Sequence, residues 1–297
     1  MKVLVAGGTG FIGSALTGAL AGAGHQVRVL TRRPDRAGTG AVRWDPAARD
    51  LDRDGLAWAE AVVNLAGATI ARRWTGRIKR EIRASRVDLT AFLADALAAL
   101  PRRPRVLISA SAIGYYGHRG DEWVDESSAP GEDFLAQVTR DWEAAAAPAA
   151  DAGIRVALPR IGLVIAPRGG LLAPLLPIFR LGLGGPLAGG RQWWSWITLG
   201  DLVALITFAL HTDALHGPVN AVAPHPVTNA EFARTLGRVL GRPAVVPVPA
   251  LALRLRYGEA ADGALLTGCR VRADRVLASG FRFDAPELEP ALRRLLK

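Results

Sequence analysis

The stretch Gly7-Gly8-Thr9-Gly10-Phe11-Ile12-Gly13 follows a strand-like apolar run and opens a helical pattern over residues 11–23. Glycines at positions 7, 10 and 13 have the spacing of a dinucleotide-binding fingerprint, and the strand before and helix after supply the context that a bare glycine match lacks. In such a turn the first glycine permits the tight bend, the second lets a pyrophosphate approach, and the third lets the helix pack closely. We therefore predict a phosphate-binding turn at the start of this helix.

Strand-like and helix-like segments alternate along the first half of the chain. The predicted strands are residues 2–6, 26–30, 41–44, 61–65, 105–109 and 154–158, and the predicted helices are 11–23, 76–100 and 134–152. This alternation is typical of a parallel sheet with helices on both faces. We predict the α/β class, with a Rossmann-like doubly wound parallel sheet and a smaller α/β C-terminal domain on the substrate side.

The sequence changes character after residue 159. Residues 167–192 are rich in Gly, Pro and Leu, which predicts irregular structure, whereas 199–211 has a helical pattern and 219–223 a strand pattern. Thr228 and Glu231 have the spacing of a capping box at the start of another helix. We predict a cofactor-binding domain over residues 1–230, with a substrate-side insertion at about 166–196, and a small C-terminal domain over 243–297.

Composition narrows the class of protein. The chain has 297 residues, of which 50% are hydrophobic, ample for a large buried core. Its one cysteine, Cys269, excludes a disulfide framework and a multi-cysteine metal site. Neither a signal-type segment nor an apolar run of membrane length is visible, so we expect a cytoplasmic protein without membrane spans. The net charge of +10 comes from scattered arginines and suits an anionic cofactor or substrate better than nucleic acid.

The residues after the second predicted strand bear on the choice of cofactor. An NAD-binding protein usually places an acidic residue there to bind the ribose hydroxyls. Here the sequence reads Thr31-Arg32-Arg33. A hydroxyl and two guanidinium groups suit the 2′-phosphate of NADP, and we predict NADP as the cofactor. The alternative is a solvated basic turn in an arginine-rich chain.

Five further stretches resemble the extended short-chain dehydrogenases/reductases, and more closely an atypical epimerase-family subgroup with its own small C-terminal domain. They are Val63-Asn64-Leu65-Ala66-Gly67, Ser109 to Gly117, Asp141-Trp142-Glu143, Phe179 to Pro186, and Val222 to Phe232. The resemblance covers nearly the whole chain.

The resemblance also implies a set of cofactor contacts. Pyrophosphate contacts are implied for Gly7, Thr9, Gly10, Phe11, Ile12 and Gly13, and 2′-phosphate contacts for Thr31 and Arg32. Leu65 and Ala66 would line the adenosine and ribose, and Glu81, Arg86 and Val164 would make further cofactor contacts.

One departure from this family bears on catalysis. Short-chain dehydrogenases use a Tyr-x-x-x-Lys pair with a serine or threonine, and residues 134–143 contain neither tyrosine nor lysine. Ser111 aligns with the family's serine or threonine, and Tyr115 and Tyr116 follow it, so we predict these three as catalytic residues. A tyrosine without a neighbouring lysine should donate a proton better than it accepts one, which favours carbonyl reduction. The alternative is that they only shape a tight loop.

Aromatic residues indicate where a substrate would be covered. Arg191 precedes Trp193-Trp194-Ser195-Trp196-Ile197, a combination that suits a sugar or nucleotide diphosphate, while packing between the two parts of the chain is the alternative. Two hypotheses for function follow. One is an NADP-dependent oxidoreductase or nucleotide-sugar epimerase acting on a small polar substrate; the other is a catalytically silent NADP(H) sensor or scaffold. The oligomeric state stays open.

Overall fold

Nine strands of the computed structural model, which describes residues 1–32, 40–46 and 48–297, form one central sheet. They are β1 Lys2–Ala6, β2 Gln26–Thr31, β3 Ala41–Asp45, β4 Asp50–Leu51, β5 Ala61–Asn64, β6 Val106–Ser109, β7 Ser111–Ala112, β9 Arg155–Ile161 and β13 Gly217–Ala221. Short pairs outside the sheet involve β8 Trp123–Val124, β10 Leu163–Ile165, β11 Trp193–Trp194, β12 Trp196–Thr198, β14 Val227–Thr228 and β15 Arg270–Val271.

The helices follow the strands in alternation. They are α1 Phe11–Gly22, α2 Arg53–Ala57, α3 Gly76–Ala84, α4 Val87–Ala98, α5 Phe134–Ala144, α6 Ala147–Asp151, α7 Leu172–Arg180, α8 Leu199–His211, α9 Asn229–Leu240, α10 Ala250–Tyr257, α11 Asp274–Ala278 and α12 Leu288–Leu296. A 3-10 turn spans Ile113–Tyr116 and a π turn spans Ala261–Leu265. In the part of the chain that the structure describes, no helix is both long and apolar enough to cross a membrane.

The order of the strands confirms the predicted fold class. It runs β13-β9-β6-β5-β1-β2-β3-β4, with parallel pairing throughout except for the antiparallel β3–β4 edge. The chain passes from β1 outward to β3 and then returns to β5 on the other side of β1. In doubly wound sheets this reversal opens a crevice at the carboxyl ends of the strands, where ligands bind.

Strand β1 shows why the sheet strands read as continuous apolar runs. Val3 and Val5 belong to a buried cluster with Leu16 of α1 and Ile206 of α8 on one face, whereas Leu4 belongs to the cluster on the opposite face. Because both faces of the sheet are covered by helices, the four buried positions of the strand, residues 3–6, are all apolar. The hydrophobic core therefore lies on both sides of the sheet.

Two predicted helices are each broken in two. The break over 76–100 falls at Ser85 and Arg86, where the Ser85 hydroxyl and the Arg86 guanidinium both donate to the carbonyl of Ile82, in competition with the helix backbone. The break over 134–152 precedes Pro148, the second residue of α6. Proline has no N–H to continue the ladder.

The expectation of irregular structure across 167–192 is wrong for α7. Leu172, Leu176 and Phe179 recur at helical spacing and are buried, which gives this segment an apolar stripe. The predicted cap of α9 is confirmed, because the Thr228 hydroxyl accepts a hydrogen bond from the Glu231 N–H. Trp194, Phe232 of α9 and Leu288, Ala291 and Leu292 of α12 share one buried cluster, so the C-terminal segment packs against the insertion.

Candidate functional site

The turn between β1 and α1 leaves no room for side chains. Gly7 has a φ of +75°, and a Cβ placed on it would lie 2.8 Å from the carbonyl carbon and oxygen of Leu65. A Cβ on Gly13 would lie 2.1 Å from the oxygen of Gly7. The Gly10 N–H donates to that same oxygen over 2.9 Å. The first and third glycines therefore let β1, β5 and α1 meet at the switch point.

The start of α1 offers hydrogen-bond donors to a ligand. Gly10 is the N-cap and supplies no side chain, and the first turn contains no acidic residue. Thr9 and Gly10 are exposed, while Phe11 and Ile12 are half-buried. The first N–H groups of a helix have no partner within it and carry a partial positive charge. The turn thus fits the pyrophosphate of a dinucleotide.

The insertion folds back over this turn. A Cβ on Gly169 would lie 2.4 Å from a ring carbon of Phe11, and one on Gly170 would lie 2.2 Å from the carbonyl oxygen of Val164. Val164 is half-buried on β10, and its carbonyl accepts the Leu171 N–H over 2.9 Å. The insertion therefore lies against the first turn of α1, with Val164 in its hydrogen-bonded hairpin.

The cofactor contacts predicted beyond this turn lie at three places. Leu65 and Ala66 are half-buried after β5, where the Leu65 N–H donates to the Ala6 carbonyl. Thr31 ends β2 and Arg32 is exposed behind it, while Arg33 lies outside the described residues. Glu81 is exposed on α3, where its carboxylate pairs with Arg72 over 2.5 Å.

Arg86 is a buried cation close to the end of β5. Its guanidinium donates to the carbonyl oxygens of Ala68 and Ile82 over 3.0 and 3.2 Å, and it lies 5.3 Å from the ring of Trp142. Within the described ranges no carboxylate forms an ion pair with it, and burial lowers the pKa of Arg86 to about 10. An anionic ligand at this edge of the sheet would compensate for its desolvation.

Ser111 lies at the start of a buried polar network. Its hydroxyl donates to Glu143 on α5 over 2.5 Å. The same carboxylate accepts two hydrogen bonds from Arg160 of β9, each of 2.8 Å. Burial works against the charge on Arg160, but the hydrogen bonds that Arg160 donates to Glu143, together with its interactions with Tyr116, outweigh burial and raise the pKa of the guanidinium. The network therefore holds an ion pair in the interior with its hydrogen bonds satisfied.

The two predicted catalytic tyrosines have different surroundings. Tyr116 is fully buried; its hydroxyl donates to Asn220 over 2.6 Å and accepts from Arg160 over 3.0 Å. Burial raises the pKa of this phenol. Tyr115 is half-buried, and its ring centre lies 3.5 Å from the Arg160 guanidinium carbon. In the described ranges the Tyr115 hydroxyl has no hydrogen-bond partner, so of the two phenols only that of Tyr115 is available to a ligand.

The positions of the missing Tyr-x-x-x-Lys pair also lie beside this loop. A Cβ on Gly114 would lie 3.6 Å from Cβ of Leu135 and 3.8 Å from Oγ1 of Thr139. The Thr139 hydroxyl donates to the Leu135 carbonyl over 2.7 Å. A leucine and a backbone-bonded threonine therefore occupy the helix face that meets the loop.

Sequence reasoning gave no chemical role to Glu143, Arg160 or Asn220. One signal was present: Arg160 and Asn220 interrupt buried, mostly apolar runs in two strands, and a buried polar residue needs a partner. The tryptophans of the predicted aromatic stretch, residues 193–197, differ in burial. Trp194 and Trp196 are buried in the core, as the packing alternative holds, whereas Trp193 stays half-buried against the C-terminal segment.

Two family descriptions match the sequence. The NAD dependent epimerase/dehydratase family matches residues 3–222, and a domain of unknown function (DUF1731) matches residues 248–295. The epimerase family protein Mb2239 of Mycobacterium bovis is 44% identical over 292 residues, which is 98% of this chain and 96% of the relative.

Solved structures are similar to the chain over its full length. The crystal structure of human epimerase family protein SDR39U1 with NADPH has a TM-score of 0.90 and 38% identity, covering 99% of each chain. The nucleoside-diphosphate sugar epimerase from Corynebacterium glutamicum has a TM-score of 0.82 and 36% identity, covering 100% of this chain and 58% of that one. The sequence and the fold agree, and the chain belongs to the NAD dependent epimerase/dehydratase family.

Proposed function

We propose that the protein binds NADP(H) at the turn between β1 and α1 and acts as an NADP(H)-dependent oxidoreductase or epimerase on a small polar substrate. The observation that carries this proposal is the cradle formed by Gly7, Gly10 and Gly13, because it puts bare backbone donors at the switch point of the sheet. A human relative with 38% identity has been crystallised with NADPH, which supports the same cofactor here.

Three cationic features would hold the cofactor. The first N–H groups of α1 face the pyrophosphate position. Arg32 follows β2, where a 2′-phosphate would lie, and Arg86 supplies a buried charge near the end of β5. When bound, NADP(H) supplies the hydride that such reactions exchange with the substrate. The protein then has to orient the substrate and move one proton.

The hydroxyl of Ser111 is suited to accept a hydrogen bond from a substrate. Its one hydrogen is held by Glu143, which in turn is fixed by Arg160. The lone pairs of the serine oxygen are what remains for a ligand. Ser111 is thus a partner for a substrate hydroxyl, and Glu143 and Arg160 are its positioning residues.

Tyr115 is the group that we assign to proton transfer. It follows Ser111 in the same loop, and its hydroxyl has no hydrogen-bond partner in the described residues. The guanidinium of Arg160 against its ring replaces, in part, the positive charge that a lysine brings in related enzymes. The buried hydroxyl of Tyr116 instead holds Arg160 in place, so Tyr116 acts through Arg160.

One observation favours the second hypothesis, a silent NADP(H) sensor or scaffold. Leu135 and Thr139 face the loop where a tyrosine and a lysine would act, and neither can exchange a proton as that pair does. A sensor would bind NADPH without turnover, and Tyr115 would then only pack on Arg160.

Calorimetric titration with NADPH and NADH tests the cofactor, and NADPH oxidation with a panel of carbonyl-containing sugars tests the reaction. We expect NADPH to bind at least tenfold more tightly than NADH, and some member of the panel to be reduced in a Tyr115-dependent manner. Equal affinities would contradict the choice of NADP. Tight NADPH binding without turnover on any carbonyl compound would favour the sensor.

A further inference from the structure

Arg270 of the C-terminal segment lies between two indole rings. Its guanidinium carbon is 4.0 Å from the ring centre of Trp123 and 4.1 Å from that of Trp193. Trp123 is on β8, which pairs in parallel with β15, and Trp193 is on β11. Three segments distant in sequence thus meet around one positive charge.

The guanidinium of Arg270 has no acceptor in the part of the chain that the structure describes. Its Nε is buried and has no hydrogen-bond partner. Its two terminal nitrogens are not fully buried, and they have no hydrogen-bond partner either. No carboxylate there lies within ion-pairing distance of it. Arg160, by contrast, donates two hydrogen bonds of 2.8 Å to the carboxylate of Glu143. A partly desolvated cation without a counter-charge is costly unless a ligand supplies one.

The surrounding groups set the direction in which Arg270 can bind. The two rings restrict the orientation of the guanidinium, and its two terminal NH₂ groups, which are not fully buried, remain available as a fork of donors. Asp121 accepts the Trp193 indole N–H over 2.7 Å, which fixes that ring. Arg272 lies 5.1 Å from the ring of Trp123, but its charge is compensated by an ion pair with Asp274 over 3.5 Å.

We propose that Arg270, between Trp123 and Trp193, is a binding site for a small oxyanion, a phosphate or a carboxylate, held through a bidentate pair of hydrogen bonds. This gives the C-terminal segment a role in ligand binding. Sequence analysis placed a cation, Arg191, beside Trp193; the structure places Arg270 against that ring.

The site is linked to the loop that carries the proposed chemistry. The Cys269 thiol contacts the carbonyl oxygen of Ile113 at 3.7 Å, and a Cβ on Gly268 would lie 2.0 Å from the oxygen of Trp193. Arg270 therefore directly follows Cys269, which packs on the Ser111–Tyr116 loop. That this site binds an anionic group of the substrate rests on the proposed function. Binding of an oxyanion at Arg270 can be measured whether or not the proposed function is correct.

The experiment is calorimetric titration of the NADPH-saturated protein at constant ionic strength. Inorganic pyrophosphate and malonate serve as the phosphoryl and carboxylate probes. We expect one of the two to bind with a single site, Arg270→Gln to weaken it at least tenfold, and Arg270→Lys, which keeps the charge but loses the fork, to weaken it less. Arg272→Gln is the matched control, with a change of no more than about twofold.

Equal affinity in the wild type and Arg270→Gln, or no binding of either probe, would overturn the proposal. Arg270→Lys keeps the test valid if the glutamine variant does not fold. If the lysine variant binds the probe as tightly as the wild type does, the guanidinium fork is not needed and the proposed site is wrong. If the wild type does not bind NADPH but, titrated without the cofactor, binds a probe in an Arg270-dependent manner, the proposed function fails and this inference stands.

Discussion

The glycine turn of residues 7–13 and the Ser111–Tyr116 loop lie at the same edge of the sheet, but the first is formed by consecutive residues and the second by residues far apart in the chain. The turn uses seven consecutive residues, and its donors are backbone groups. The loop depends on side chains that come from α5, β9 and β13, with Tyr116 and its partner Asn220 separated by 104 positions. A contiguous motif keeps its geometry when distant residues change, whereas an assembled network is only as stable as its least satisfied member.

The largest effect that separates the two regions is expected for Glu143→Ala. Removing this carboxylate leaves Arg160 buried without its counter-charge, and we expect a loss of about 3–5 kcal/mol in the free energy of unfolding. Asp141→Ala on the same helix is the control, because its pair with Arg83 is solvent-exposed and worth at most about 1 kcal/mol. Urea denaturation measures both. Similar losses in the two variants would show that the interior network has no special weight.

Gly10→Val should remove cofactor binding and leave the fold intact. The new side chain would occupy the pyrophosphate position, while its Cβ would lie 3.2 Å from the Gly7 oxygen, which a small shift relieves. We expect NADPH affinity to fall at least about 100-fold, equivalent to roughly 2.7 kcal/mol. Gly18→Val in the same helix meets open space and should bind NADPH normally. A folded Gly10→Val protein that retains wild-type affinity would place the pocket elsewhere.

Arg32→Ala tests whether the residue after β2 selects NADPH over NADH. Loss of a charge-assisted hydrogen bond should weaken NADPH by about 1–3 kcal/mol and leave NADH unchanged. Arg28→Ala on β2 serves as control, since the Arg28 guanidinium lies over the ring of Trp58. Calorimetry with both cofactors distinguishes the cases. An equal loss for NADPH and NADH would mean that Arg32 does not recognise the 2′-phosphate.

The smallest stability effects are expected for the two tyrosines. Tyr116→Phe leaves Arg160 and Asn220 without a hydroxyl and should cost about 1–2 kcal/mol in stability. Tyr115→Phe should change stability by no more than about 0.5 kcal/mol. With a substrate in hand, Tyr115→Phe should lower kcat more than Tyr116→Phe does. The reverse order in thermal unfolding and turnover would exchange the roles that we assign to them.

The local sequence pattern predicted secondary structure well where residues within a few positions of each other determine it. The apolar strands, the glycine turn and the cap at Thr228 depend on residues within a few positions of each other. The breaks in the two long helices escaped prediction, because Ser85 and Arg86 break theirs by hydrogen bonds to a carbonyl that propensity ignores. Helix α7 escaped because its glycine-rich flanks hid an apolar stripe.

By itself the sequence determined the class of fold and the glycine turn between β1 and α1, because strand burial and glycine spacing depend on neighbouring residues. Only the tertiary structure decided which polar groups meet. It buried Tyr116, left the hydroxyl of Tyr115 accessible, and gave Ser111 an acceptor in Glu143. It also brought Arg270 between Trp123 and Trp193. Such contacts join residues far apart in the chain, and their energies depend on burial and distance, which a linear pattern does not contain.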